Sequence, residues 1–238
     1  MIRLPLPDAD LRDHSRWTLP AATAHYATRV HRLGAGAAVV LFDGRGHEVN
    51  ATLAVEGTQW FAVRVDETRV GRVGAPVTLV WAVPKGARLD DVTRQVTELG
   101  VARLLLLETQ RGVVRLKGDR ADKRRARLDR IAAEAARQCG RADVLSVAGP
   151  VSLEDALAAT DDGGRIILHP DAGDTMETIE CTAPVAVFVG PEGGFTPSEL
   201  TLAESAGARR CTLTSPVLRT ETAAVVGCAL VLHRLGAL

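Results

Sequence analysis

The chain has 238 residues, 46% of them hydrophobic, with 29 basic and 29 acidic side chains. That length can bury a sizeable core, as one large domain or a small and a medium one, and zero net charge excludes naming a partner from overall charge. Its four cysteines, Cys139, Cys181, Cys211 and Cys228, lack C-x-x-C or zinc-type Cys/His spacing, so no metal is expected. No apolar run reaches a membrane span, and Met1 to Asp8 lacks the apolar stretch of a signal peptide. A soluble cytoplasmic chain with reduced thiols and no membrane partner is the expectation. Charge is unevenly spread: residues 111–141 carry eleven basic against four acidic side chains, and residues 142–238 five against thirteen. A basic middle beside an acidic end suits an anionic partner on one face, although a solvated charged helix would look the same.

The first seventy residues read as a small β domain. His25 to Leu33 has the pattern of a short helix, on which His25, Arg29 and Arg32 at i, i+4 and i+7 would share one face. Such a row suits a phosphate backbone, as it also suits an ordinary solvated surface. Ala37 to Phe42 reads as a strand, Asp43 to Gly46 as a turn, and His47 to Val55 and Gln59 to Val65 as two more strands. Short strands separated by glycine turns indicate a small barrel or meander. Thr68 to Pro76, with two glycines and a proline, reads as a linker.

From there strands and helices alternate, which predicts an α/β domain with a mostly parallel sheet. Val77 to Val83 is a strand ending at Pro84-Lys85-Gly86. Leu89, Val92, Val96 and Leu99 stripe a helix that Gly100 closes. Val101 to Leu107 is a buried strand, followed by a loop around Arg111. Residues 118–138 form a long basic helix, with Arg141 just beyond Gly140. Leu153 to Ala159 is a short helix and Arg165 to His169 a strand.

Two stretches carry the chemistry. Val185 to Val189 reads as a strand buried on both faces, ending in Gly190-Pro191-Glu192-Gly193-Gly194, where two glycines allow positive φ and close ligand approach. Thr196 as N-cap, Pro197 at the first helical position and Glu199 completing a capping box then open a helix. Open α/β sheets bind ligands at such strand ends, though a plain strand-to-helix turn would account for Gly-Gly alone. The second stretch follows a short strand at Arg210 to Leu213. Its loop carries Arg219 and Glu221 into an apolar helix from about Thr220 to Leu235. An arginine is electrostatically misplaced at a helix start, which a ligand or an Arg219–Glu221 pair would equally explain. No dinucleotide or Walker fingerprint and no nucleophile elbow is present.

Leu168-His169-Pro170, Phe188 through the glycine loop to Phe195, and Val217-Leu218-Arg219-Thr220-Glu221-Thr222-Ala223 resemble the RsmE family of 16S rRNA (uracil-N3)-methyltransferases, of the SPOUT superfamily. So do Lys85-Gly86, Thr97 to Val101, Glu134 to Gln138 with Arg141, and His25 to Leu33 followed by Leu41 to Gly44. The matches run in the family's order and cover nearly the whole chain.

The resemblance implies a PUA-like β-barrel RNA-binding domain over 1–72. It implies an α/β methyltransferase domain with a deep trefoil knot over 73–238, S-adenosylmethionine as cofactor, a homodimer, and a uridine of 16S rRNA in the small ribosomal subunit as substrate. It places the cofactor against Leu168, His169, Gly190, Pro191, Glu192, Gly193, Gly194, Leu213, Thr214, Val217 and Leu218. Arg219 and Glu221 become the catalytic pair, with Arg219 stabilising the anionic uracil and Glu221 either taking the proton or orienting Arg219. His25, Arg29, Arg32, Lys85, Arg111 and Arg141 become RNA contacts. The chain departs from the family pattern at Thr214 (glycine in the family), Pro216 (arginine) and Gln95 (lysine). These departures are what a catalytically degenerate RNA-binding assembly factor of the same fold would show.

Overall fold

The computed structural model describes every residue except Asp8, Lys85, Gly86, Ala87, Asp161, Asp162, Thr214 and Ser215. The chain divides into two compact units, Met1–Val73 with Ala136–Val144, and Gly74–Ala135 with Leu145–Leu238.

The first unit contains β1 (Ile2–Pro5), β2 (Arg16–Thr18), α1 (Ala21–His25), β3 (Ala38–Phe42), β4 (His47–Glu56), β5 (Gln59–Arg64) and β6 (Arg69–Val70). They form one six-stranded sheet in the order β1-β3-β4-β5-β2, with β6 on β4. Along β4, Val49, Ala51 and Leu53 alternate inward and join Leu4, Leu11, Leu41 and Ala62 in the core, the two-residue period of a half-buried strand. The β3–β4 turn is set by Asp43, whose Oδ1 accepts the N–H groups of Arg45 and His47 at 2.8 and 3.0 Å.

Two expectations change here. The single helix over 25–33 is instead α1 followed by a π-helical turn, Tyr26–Val30, in which the His31 N–H reaches back to the Tyr26 carbonyl at 3.1 Å. Arg32 then lies beyond the turn at φ +54°, so His25, Arg29 and Arg32 do not form one α-helical row, although each is exposed. The stretch 136–144 returns to this unit: Asp143 bridges to Gly44 and Arg45, and Arg72 to Arg141.

The second unit contains β7 (Ala75–Ala82), α2 (Arg88–Leu99), β8 (Val101–Leu107), α3 (Asp119–Cys139, its last turn belonging to the first unit), β9 (Ser146–Val151) and α4 (Leu153–Ala158). It continues with β10 (Gly164–Leu168), β11 (Asp174–Thr175), β12 (Val185–Val189), α5 (Pro197–Ser205), β13 (Arg209–Thr212) and α6 (Thr220–Arg234). Seven strands run in the order β11-β13-β10-β12-β7-β8-β9, and every pairing is parallel. All five residues of β12 are buried, as a central parallel strand covered on both faces requires. Trp81 and Phe188 are fully buried, each contributing about 2–3 kcal/mol through apolar burial. β9 escapes the sequence pattern because Gly149 and Pro150 interrupt it. A Cβ on Gly149, which sits at φ +90°, would lie 2.5 Å from the Leu106 carbonyl oxygen.

Candidate active site

Because β10, β12 and β13 are parallel and adjacent, the loops that leave them emerge at one edge of the sheet. These loops surround a cavity of about 610 Å³, within the range of small-molecule sites. Leu168 and His169 line it from β10, Gly190, Pro191, Glu192, Gly193 and Gly194 from β12, and Leu213, Val217, Leu218, Arg219 and Glu221 from the region after β13. Thr214 and Lys85 lie outside the described residues.

The glycine loop is held from several sides. The Gly194 N–H bonds the Pro191 carbonyl at 2.9 Å, and Gly194 takes φ +68°, the left-handed conformation glycine tolerates. Gly193 does not need positive φ. A Cβ there would make only an ordinary contact with the Arg111 Cβ at 3.4 Å, whereas one on Gly190 would press the Phe195 ring at 3.1 Å. Arg111 Nη1 donates to the carbonyls of Gly193 and Phe195 at 2.9 and 3.3 Å. Arg111, expected at RNA, is thus engaged in fixing the cavity loop. Thr196 caps α5 with the full capping box. Glu199, 5% exposed, accepts the N–H of Thr196 on one oxygen and that of Gln110 on the other, both at 2.7 Å. One carboxylate therefore joins the loop after β8 to the loop after β12.

A second relay crosses the sheet. The indole N–H of Trp81 donates to Thr220 Oγ1 at 2.8 Å, and that hydroxyl donates to the Gly190 carbonyl at 2.7 Å. Trp81 is fully buried and Thr220 is 7% exposed, so both bonds are shielded from water and costly to lose. The relay fixes the first residue of the glycine loop against the first turn of α6.

Arg219 occupies the N-cap of α6 with no side-chain capping bond. It is exposed, lines the cavity and makes no side-chain hydrogen bond or ion pair among the described residues. Glu221 is not its partner. Glu221 Oε2 instead receives Arg88 Nη1 at 3.3 Å, and the same nitrogen lies 3.9 Å from Glu192 Oε1. An orienting role of Glu221 on Arg219 therefore has no contact behind it, and the helix-start arginine is left free to meet a ligand. Arg88 escapes sequence reasoning because its partner lies 133 residues away. Cys211 also borders the cavity. Burial pushes its thiol up to about 11, with the Asp174 charge adding to the effect, so it stays protonated at neutral pH and is no nucleophile.

The remaining expected contacts fall elsewhere. His25, Arg29 and Arg32 belong to the first unit. Arg141 is 2% exposed, with Nε and Nη2 both 2.8 Å from the Asp143 carboxylate. A guanidinium so enclosed and paired is a structural ion pair and does not present itself to a phosphate. Among the described residues no group of three or more His, Cys, Asp or Glu could hold a metal ion, and no helix is long and apolar enough to cross a membrane.

Residues 73–232 match an RNA methyltransferase domain family and residues 19–60 an RNA methyltransferase PUA domain. The chain is 33% identical over 211 residues to the ribosomal RNA small subunit methyltransferase E of Mycobacterium tuberculosis, covering 84% of this chain and 80% of that one. It is 30% identical over 221 residues to the protein of that name from Synechocystis, covering 89% and 71%. Among solved structures it superposes on the ribosomal RNA small subunit methyltransferase E of Neisseria gonorrhoeae bound to S-adenosyl methionine, with a TM-score of 0.84, 27% identity and 98% of both chains covered. A methyltransferase from Legionella pneumophila in complex with the same cofactor gives a TM-score of 0.86 at 28% identity, covering 98% of this chain and 97% of that one. The methyltransferase match spans well over half of the sequence, and the chain belongs to the ribosomal RNA small subunit methyltransferase E family.

Proposed function

We propose that this chain transfers a methyl group from S-adenosylmethionine to N3 of a uridine in the 16S rRNA of the small ribosomal subunit. The observation that carries this reading is the cavity itself, which gathers the glycine loop, Arg219 and Glu221 at the ends of three parallel strands.

The lining fits the cofactor. Gly190, Gly193 and Gly194 line the cavity with backbone alone. Val217, 78% exposed at the cavity, offers an apolar wall for an adenine ring, and the loop backbone offers hydrogen bonds to its edge. Leu168, His169, Leu213 and Leu218 complete that wall. When bound, S-adenosylmethionine supplies an electrophilic methyl group and leaves as the neutral thioether. Glu221, held by Arg88, accepts the N3 proton. With the cofactor in place, the freed nitrogen lone pair would take the methyl group while the C–S bonding pair stays with sulfur. Arg219 donates to a uracil carbonyl oxygen as negative charge spreads onto it, and it cannot be the base because guanidinium stays protonated. The loops position methyl and nitrogen in line, where much of the acceleration arises.

The same reading takes the second unit as a trefoil-knotted methyltransferase domain, the first as a PUA-like barrel that grips RNA through His25, Arg29 and Arg32, and the cytoplasm as the location. It also takes the working form as a homodimer. Val225, Val226, Ala229 and Leu230 of α6 are only half-buried in the single chain, which favours a second copy against this helix. The degenerate-factor alternative has no comparable support, because Arg219, Glu221 and the glycine loop all remain at the cavity.

The test is methylation of small subunits from cells lacking the protein, using isotope-labelled S-adenosylmethionine, with the rRNA digested to nucleosides for mass spectrometry. Label in 3-methyluridine is expected. Label in a 2′-O-methylated nucleoside, or none, would overturn the assignment.

A further inference from the structure

Residues 111–130 hold nine basic side chains against three acidic ones, and the cavity accounts for only the first of them. Within α3, Arg120, Lys123, Arg127 and Arg130 recur at intervals of three, four and three residues. At about 100° per residue they fall within an arc of roughly 80°, and a rise of 1.5 Å per residue sets the ends roughly 15 Å apart. All four are exposed. Asp122 and Asp129 fall on the opposite side of the cylinder, and Arg125 is drawn toward that side by Asp122 at 3.1 Å. The buried stripe of Leu128 and Ala132 is distinct from both. Between Arg120 and Arg130 the exposed row carries one sign of charge, with Asp119 beside its start and Glu134 one turn beyond its end.

Apart from Arg127, which holds Asp90, the row does nothing for the fold, since like charges at these spacings destabilise a helix. Arg120 and Lys123 hold no ion pair among the described residues, and Arg130 meets only the Ala126 carbonyl at 3.4 Å. The row is tied to the cavity through α2. Arg124 and Arg127 hold the two oxygens of Asp90 at 3.2 and 2.8 Å, and Arg88, two residues before Asp90, lies on the cavity wall.

We propose that this face of α3 is a phosphate track for the RNA strand flanking the nucleotide whose base enters the cavity. The proposal rests on the RNA-methylation reading and adds the surface on the catalytic unit that holds the strand. A row of cations some 15 Å long complements a polyanion of closely spaced charges, and its contacts are of the kind that position without reading sequence.

The test removes Arg120, Lys123 and Arg130 together (R120Q, K123Q, R130Q), sparing Arg127 because it holds Asp90. Binding of a small-subunit rRNA transcript is measured across a salt series, beside circular dichroism, S-adenosylmethionine affinity and single-turnover methylation at saturating RNA. The salt slope should become shallower by about 2–3, from roughly 0.7–0.9 for each of the three lost contacts. Helicity, cofactor affinity and the saturated rate should stay within about twofold. Arg125→Gln, on the other side of the same helix, should leave the slope unchanged. An unaltered slope in the triple variant overturns the proposal, as does an equal loss in Arg125→Gln. Binding to phosphatidylserine vesicles that depends on the cationic row, with an unaltered RNA slope, also overturns it. A wild-type protein whose RNA slope depends on the row but which methylates nothing would sink the methylation reading and sustain the track.

Discussion

The hydroxyl of Thr220 is bonded on both sides, accepting from Trp81 and donating to Gly190, so its removal strands two buried polar groups at once. Thr220→Val keeps the shape and deletes both bonds, which should cost about 1–3 kcal/mol and weaken cofactor binding through the displaced Gly190. Thr220→Ser should restore both. Urea titration and calorimetry check this, and a Ser variant as impaired as Val would contradict it. Asp43 offers a pH-dependent case in the other unit. Burial alone would raise its carboxyl, but the N–H groups of His47 and Arg45 and the His47 ring bind the ionised form and bring it below the usual range. With the folded value below the unfolded one, its stabilisation is present above roughly pH 4 and is lost as pH falls through the folded value. Asp43→Asn should therefore lower stability at pH 7 by about 1–2 kcal/mol, with a gap to wild type that closes toward pH 3 in denaturant titrations. A gap unchanged in acid would contradict the assignment. Neither Trp81 nor Arg88 could be picked from the sequence, because each takes its meaning from a partner well over a hundred residues away.

Local chemistry made most elements legible. Thr196, Pro197 and Glu199 announce the start of α5, and the structure shows that capping box in full. Gly100 closes α2 at φ +99°, and the valine run of β12 is buried throughout. The π turn after α1 was not legible, since its residues carry an ordinary helical pattern and only the i+5 bond distinguishes it. Helix α6 packs tightly at Gly227, where a Cβ would stand 2.6 Å from Leu168 Cδ1 and 3.7 Å from its Cγ. Gly227→Ala should gain about 1 kcal/mol in helix propensity while pushing the Leu168 side chain into the cavity. Stability should thus change little while S-adenosylmethionine affinity falls about tenfold. Calorimetric titration showing wild-type affinity in a folded Gly227→Ala protein would separate α6 packing from the cavity.

Across the whole molecule, parallel alternation was legible but strand order was not. Nothing local says that β12 lies beside β7, over a hundred residues earlier, or that the chain returns at 136–144 to the first unit. That return buries Arg141, whose position in a family-like motif suggested RNA contact. The proposed homodimer follows from the half-covered apolar side of α6. Light scattering at micromolar concentration should give twice the 25.3 kDa chain mass, and a Val226→Glu variant should shift it toward monomer; a wild-type monomer would contradict the dimer. The central claim is methyl transfer to uridine N3 assisted by Arg219. The most direct measurement is mass spectrometry of small-subunit rRNA nucleosides from cells lacking this protein, complemented with wild type or with Arg219→Ala. Loss of one transition-state donor costs on the order of 10²–10³ in rate. The wild type should restore 3-methyluridine, and Arg219→Ala, expressed equally and binding cofactor normally, should leave it largely absent. Unchanged 3-methyluridine in the deletion, or full restoration by Arg219→Ala, would contradict the account.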